Sequence, residues 1–183
     1  MKAYLAGPDV FLPNAAQNAA AKIKICAAHG LIGKAPLEDV TQISTGPPAD
    51  MWRAIFRKDI EMMEACDLII ANLTPFRGAS ADAGTLVELG WFLGRQKPVF
   101  GYSNCAALFS ERSQAQQAAV PDLIASVAVE DFGLPDNLMV PGAVELGGGL
   151  SITLPPDGLT RPFDALDIFE ICVAQAARRL GLT

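Results

Sequence analysis

The segment Asp82-Ala83-Gly84-Thr85-Leu86-Val87-Glu88 puts two carboxylates where they can share a task. Asp82 stands at a predicted helix N-terminus, where negative charge is favoured, and Glu88 follows about 1.7 turns later. Gly84 between them lets a ligand approach the backbone closely. Glu88 is followed by Leu89-Gly90-Trp91, so it interrupts an apolar surface. A glutamate so placed has two readings: a solvent-facing or capping carboxylate, or a buried group kept for a task, because burying an unpaired carboxylate costs several kcal/mol. Two carboxylates beside one sugar carbon can divide glycosidic chemistry, one attacking the anomeric carbon and the other protonating the leaving group.

The rest of the inventory agrees with carboxylate chemistry. The chain has 183 residues, 51% hydrophobic, with 20 acidic against 14 basic side chains and one histidine. A formal charge of −6 argues against a nucleic acid polymer as ligand, since polyanion binding needs a cationic field. The lone His29 is expected to partner a helix dipole, and it excludes relays built on several histidines. Cys26, Cys66, Cys105 and Cys172 form no C-x-x-C pair and read as reduced thiols, with Cys66 and Cys172 filling the core; no metal site is expected. There is no apolar run long enough for a membrane span or signal peptide, so a cytoplasmic protein is expected. Neither G-x-x-x-x-G-K-[ST] nor a G-x-G-x-x-G after the first strand occurs, which disfavours P-loop and dinucleotide chemistry.

The elements that must position these residues alternate. A strand over 2–6 stops at Gly7-Pro8, and Asn14 can cap a helix from about Ala15 to His29, which Gly30 ends. Strands are predicted at 31–35, 67–73 and 98–102, with helices at 49–65 and 82–95 and a loop over 36–48. Trp52, Ile55, Phe56, Ile60 and Met63 trace one apolar helix face. Residues 103–125 read as an irregular or helical insertion, 127–132 as a last strand, Gly147-Gly148-Gly149 as a flexible turn and 163–180 as an amphipathic helix. The alternation predicts one α/β domain over 1–183, a doubly wound, flavodoxin-like parallel sheet flanked by helices. Ligands of such sheets bind beyond the carboxyl ends of the strands, where Gly7-Pro8-Asp9, Asn72 and the Asp82–Glu88 segment converge.

Four segments resemble the nucleoside 2-deoxyribosyltransferase family: residues 4–11 (Tyr4-Leu5-Ala6-Gly7-Pro8-Asp9-Val10-Phe11), residues 67–73 ending in Asn72-Leu73, Arg77-Gly78 with the Asp82–Gly90 run, and Phe132-Gly133-Leu134-Pro135-Asp136-Asn137-Leu138-Met139. The resemblance implies base exchange on 2′-deoxynucleosides through a covalent glutamyl-deoxyribose ester, with retention and no cofactor. It implies that Glu88 is the nucleophile, that Asp82 handles the proton of the leaving and incoming base, and that Tyr4 orients Glu88. Asp59 matches a second carboxylate less closely. Gly7, Asp9, Phe11, Asn72 and Gly84 are the implied substrate contacts. Asn137 and Met139 match residues that reach a neighbouring subunit's site, which implies a homo-oligomer built from dimers, typically a hexamer with shared active sites. The partners implied are a 2′-deoxynucleoside and a free nucleobase.

Alternatives stay open at this point. An N-glycosidase would give the sugar of a 2′-deoxynucleoside or its 5′-monophosphate to water, and a sensing module would keep the pocket without turnover. Arg77 is either a surface or helix-end ion pair or a grip on a 5′-phosphate. Asp9 lines the sugar site or merely shapes the turn. Trp52, Phe11, Phe76 and Trp91 are candidate walls and lids of a dry pocket, with core packing as the alternative for each.

Overall fold

Three short segments, 3–6, 68–71 and 99–102, are apolar throughout and buried, which suits strands covered on both faces of a parallel sheet. A computed structural model of the chain describes residues 1–37, 48–120 and 126–182. Its strands β1 (Lys2–Ala6), β2 (Ile32–Lys34), β3 (Leu68–Asn72) and β4 (Val99–Tyr102) form one parallel sheet in the order β2-β1-β3-β4. Register is set by pairs such as Tyr4 with Ile69 and Ile70 with Phe100. This is the doubly wound α/β architecture expected, and its switch point lies between β1 and β3.

The strand period of two sends alternate side chains to opposite layers. Ala3, Leu5, Leu68 and Ile70 pack with Ile168, Phe169, Cys172 and Val173 of α6 (Asp167–Arg179) and with Cys26 of α1 (Ala15–Ala28). Tyr4, Ala6, Ile69 and Ala71 face the other way, against Leu89 and Phe92 of α3 (Ala83–Gly94), Val140 and Val144 of α5 (Met139–Gly148) and Met63 of α2 (Pro48–Glu64). α4 (Phe109–Ala119) lies within the expected insertion. All four cysteines are free, and Cys26, Cys66 and Cys172 are buried. No helix among the described residues is long and apolar enough to cross a membrane.

Several local expectations are corrected. Residues 127–132 form no strand. The edge beyond β4 is occupied instead by Thr153, whose N–H donates to Gly101 and whose carbonyl accepts from Ser103 N–H, both at 2.9 Å. An alternating pattern predicts a strand only where an edge is available to pair with it. Gly147 and Gly148 are not a flexible turn but the last turn of α5, which lies so close to β4 that a Cβ on Gly147 would stand 2.7 Å from Val99 Cβ. Gly149 ends the helix in the left-handed conformation at φ 66°.

The final helix starts at Asp167 rather than 163, because buried Asn104 donates its amide to the carbonyls of Pro162, Phe163 and Ala165 and holds that stretch out of helix. Asn14 stands at the N-terminus of α1, yet its side chain makes no cap and reaches Asp164 at 3.3 Å instead. On α2 the expected apolar stripe is only partly covered: Met63 is buried, but Trp52 and Phe56 are exposed. The loop predicted over 36–48 lies mostly outside the described residues.

Candidate functional site

The chain leaves β1 at Gly7 and β3 towards α3, and a cavity of about 370 Å³ opens where these two exits part. Gly84, Thr85, Asp82 and Glu88 of the α3 segment line one side, and Ile55 and Asp59 of α2 another. Gly7, Val10, Phe11, Pro36 and Leu37 complete an apolar wall. Glycine is required at position 7, because a Cβ there would stand 2.8 Å from Asn72 Cβ and collide with the Asp9 carboxylate.

Glu88 is the centre of this cavity's electrostatics. Tyr4 projects from the β1 face that meets α3, and its hydroxyl donates to Glu88 Oε1 at 2.7 Å. Burial pushes the Glu88 carboxyl up to about 7; the Tyr4 hydrogen bond opposes this, while the negative charges of Asp59 and Asp82 add to it. Tyr4 itself is raised well above the ordinary phenol range, first by burial and then by Glu88, so it remains a donor. Asp59 is also raised, by burial against the pull of Lys58. Asp82 caps α3 through one oxygen only: Oδ2 accepts from Thr85 N at 3.0 Å and Thr85 Oγ1 at 3.2 Å, while Oδ1 has no hydrogen bond among the described residues. The site therefore holds three neighbouring carboxylates, one of them poised near neutrality.

The structure brings together only part of the expected set. Glu88, Asp82, Asp59, Gly7, Phe11 and Gly84 line the cavity, with Tyr4 directly behind Glu88. Asp9 and Asn72 do not line it. Asn72 Nδ2 donates to both Asp9 oxygens at 3.1 and 3.2 Å, and Asp9 Oδ2 lies 2.8 Å from the ammonium of buried Lys22. Asn137 and Met139 also stand outside the cavity of their own chain; Asn137 Nδ2 donates to Glu130, and Met139 is exposed. Of the four aromatic candidates only Phe11 forms a wall. Phe76 stacks behind it at 5.7 Å, Trp91 packs on Phe92, and Trp52 is exposed beside Arg53. Arg77, at φ 56°, lays its guanidinium over Phe11 and Phe76 at 5.0 and 4.8 Å. His29 ends α1, lies 3.8 Å from Glu170 and does not line the cavity.

Sequence reasoning missed Lys22, because a lysine among helical alanines carries no signal of burial. Val10, Pro36 and Leu37 were also missed as walls, and nothing in their spacing distinguishes them from ordinary turn residues.

A model of the nucleoside 2-deoxyribosyltransferase family matches residues 3–139, which include every carboxylate of the cavity. The chain belongs to that family. A 2-deoxyribosyltransferase from Leishmania mexicana has a similar structure, with a TM-score of 0.67, 29% identity and 97% of each chain covered. A 2-deoxyribosyltransferase from Bacillus psychrosaccharolyticus shares the fold at a TM-score of 0.50, with 20% identity over 61% of this chain and 82% of that one. An uncharacterised protein of Schizosaccharomyces pombe is 32% identical over 97% of this chain and 89% of its own length.

Proposed function

We propose that this member of the deoxyribosyltransferase family moves the 2-deoxyribosyl group between nucleobases through a covalent ester on Glu88. The observation that carries the reading is the 2.7 Å hydrogen bond from Tyr4 to Glu88 inside a cavity lined by Asp59 and Asp82. The ionised Glu88 carboxylate attacks C1′ as the C1′–N bond breaks, and the bonding pair leaves with the base. Asp82, through its uncapped Oδ1, gives a proton to a ring nitrogen of the departing base. An incoming base attacks C1′ from the same side, passes its proton back to Asp82 and frees Glu88, so that two inversions give retention. Asp59 faces the same cavity and assists the proton transfer or the recognition of the base. The apolar wall of Val10, Phe11, Leu37 and Ile55 suits a planar base and keeps water from the ester.

Gly7, Phe11 and Gly84 are the substrate contacts within the chain. Asp9 and Asn72 support the Gly7 turn from behind. Asn137 and Met139 complete the site of a neighbouring copy in a homo-oligomer. The exposed Met139, Leu138, Val87, Trp52 and Phe56 support that assembly, since a monomer gains nothing from leaving so much apolar surface wet. One domain over 1–183 and a cytoplasmic location, consistent with four free thiols, complete the reading.

The test is exchange itself. Purified protein given deoxyinosine and free adenine should form deoxyadenosine by chromatography, and Glu88→Ala should lower the rate by at least about 10³-fold. Free deoxyribose released at a rate indifferent to added base would replace this reading with a hydrolase. Ligand binding unchanged in a wild type that turns nothing over would leave a sensing module.

A further inference from the structure

The loop that delivers Asp82 is tied from below by a carboxylate outside the cavity. Asp136 is 1% exposed, and its oxygens accept from Ser80 Oγ at 2.5 Å, Ala81 N at 2.9 Å and Asn137 N at 2.8 Å. Two of these three donors belong to the residues immediately before Asp82. Arg112 of α4 braces the same pair of loops: its Nε donates to Ala79 O at 2.8 Å and its other nitrogens to the carbonyls of Pro135, at 2.6 Å, and Ala107. Among the described residues neither Asp136 nor Arg112 is in an ion pair. A buried carboxylate and a guanidinium are thus both spent on neutral donors and carbonyls whose positions they specify, where an apolar filler would specify nothing.

We propose that Asp136 is a positioning residue for Asp82, fixing the 79–81 loop so that the uncapped Asp82 oxygen meets the leaving base. The proposal rests on the reading of Asp82 as the proton donor. Asp82 is held on its far side by Thr85, through the cap of α3. On its near side the backbone is held at Ala81 by Asp136. Releasing the near side lets the carboxylate drift while Glu88, carried about 1.7 turns further along α3 and gripped by Tyr4, keeps its place. The loss should therefore fall on proton transfer and spare nucleophilic attack. Since Asp136 also binds Asn137 N–H, the same carboxylate fixes the start of the segment that ends at Met139.

A pair of substrates separates the two steps. Deoxyinosine needs a proton on its leaving base, whereas 7-methyl-2′-deoxyguanosine carries a cationic base that departs without one. Base release is measured in a single turnover with enzyme in excess. Asp136→Asn, which cannot accept all three hydrogen bonds, should slow deoxyinosine about 10²-fold and 7-methyl-2′-deoxyguanosine by less than about 3-fold, the same selectivity as Asp82→Asn. Ser80→Ala, which leaves both backbone donors in place and keeps the test alive if Asp136→Asn does not fold, should show that selectivity at about 5-fold, the loss of one hydrogen bond. Equal loss on both substrates, or none on either, overturns the proposal. If Asp82→Asn itself treats the two substrates alike, the reading of Asp82 falls and this proposal falls with it.

Discussion

Two clusters of carboxylate stand side by side at the carboxyl end of the sheet, and they are built on opposite principles. At one, Asp9 meets a buried lysine ammonium and an asparagine amide, and every oxygen has a partner. At the other, Glu88, Asp82 and Asp59 line one cavity, where the Tyr4 phenol donates to Glu88 and Thr85 holds one oxygen of Asp82. The first corner is electrically closed, its aspartate held by a cation and an amide. The second is held open, so its proton affinity is set by burial and mutual repulsion, and Glu88 rises to about 7. A carboxylate near a pocket is therefore not reactive by location; burial and the charges around it set its proton affinity.

The contrast is broken most severely through Lys22, whose side chain is 5% exposed and whose ammonium lies over the rings of Tyr102 and Phe169. Burial holds it below the ordinary lysine range, with Asp9 pulling the other way. Lys22→Met should cost about 3–5 kcal/mol in urea unfolding, because the partly buried Asp9 charge loses its cation and keeps only the Asn72 amide. Adding Asp9→Asn should recover most of it. A Lys22→Met protein of unchanged stability that no longer exchanges bases would place the closed corner in the chemistry and erase the distinction.

The open cluster should show the reverse sign. A glutamate raised from 4.5 to about 7 in the folded state lends stability that is complete below pH 4.5 and is lost as pH rises through 7. Glu88→Gln still accepts from Tyr4 but has no charge to bury. It should match the wild type near pH 4.5 and exceed it by about 2–3 kcal/mol at pH 8 in urea unfolding, while remaining inactive. Equal stability at both pH values would show that Glu88 is not penalised by its site.

The smallest effect sharpens the comparison at the hydrogen bond from Tyr4 to Glu88. Tyr4→Phe removes the donor that lowers the Glu88 carboxyl, leaving burial and the two aspartates unopposed. The acidic limb of the kcat/KM profile should move up by about one pH unit, equivalent to about 1.4 kcal/mol. A limb that stays in place would assign the limb to another carboxylate.

The α/β alternation, the parallel sheet and the carboxylates of the α3 segment were legible because each depends on local pattern: apolar runs, helix period, and an acidic residue just before a helix. Tyr4 was legible only through its resemblance to the family, since nothing in residues 2–6 alone points its ring at Glu88. The strand expected at 127–132 and the turn at 147–149 failed for a shared reason. Both depend on what packs alongside, Thr153 at the edge of β4 and Val99 beneath α5. Asp136 lay inside a recognised segment, yet its burial against the 80–81 loop bridges more than fifty residues of chain and leaves no periodic trace.

By itself the sequence determined which side chains could act, by supplying one histidine, a surplus of carboxylates and two of them spaced along a single helix. The tertiary structure decided how those carboxylates are partnered. It set Asp9 against Lys22 and Asn72, and Glu88 against Tyr4, Asp59 and Asp82. That division could not be read from residue types, because a carboxylate's proton affinity depends on the charges and solvent that folding places within a few ångströms of it.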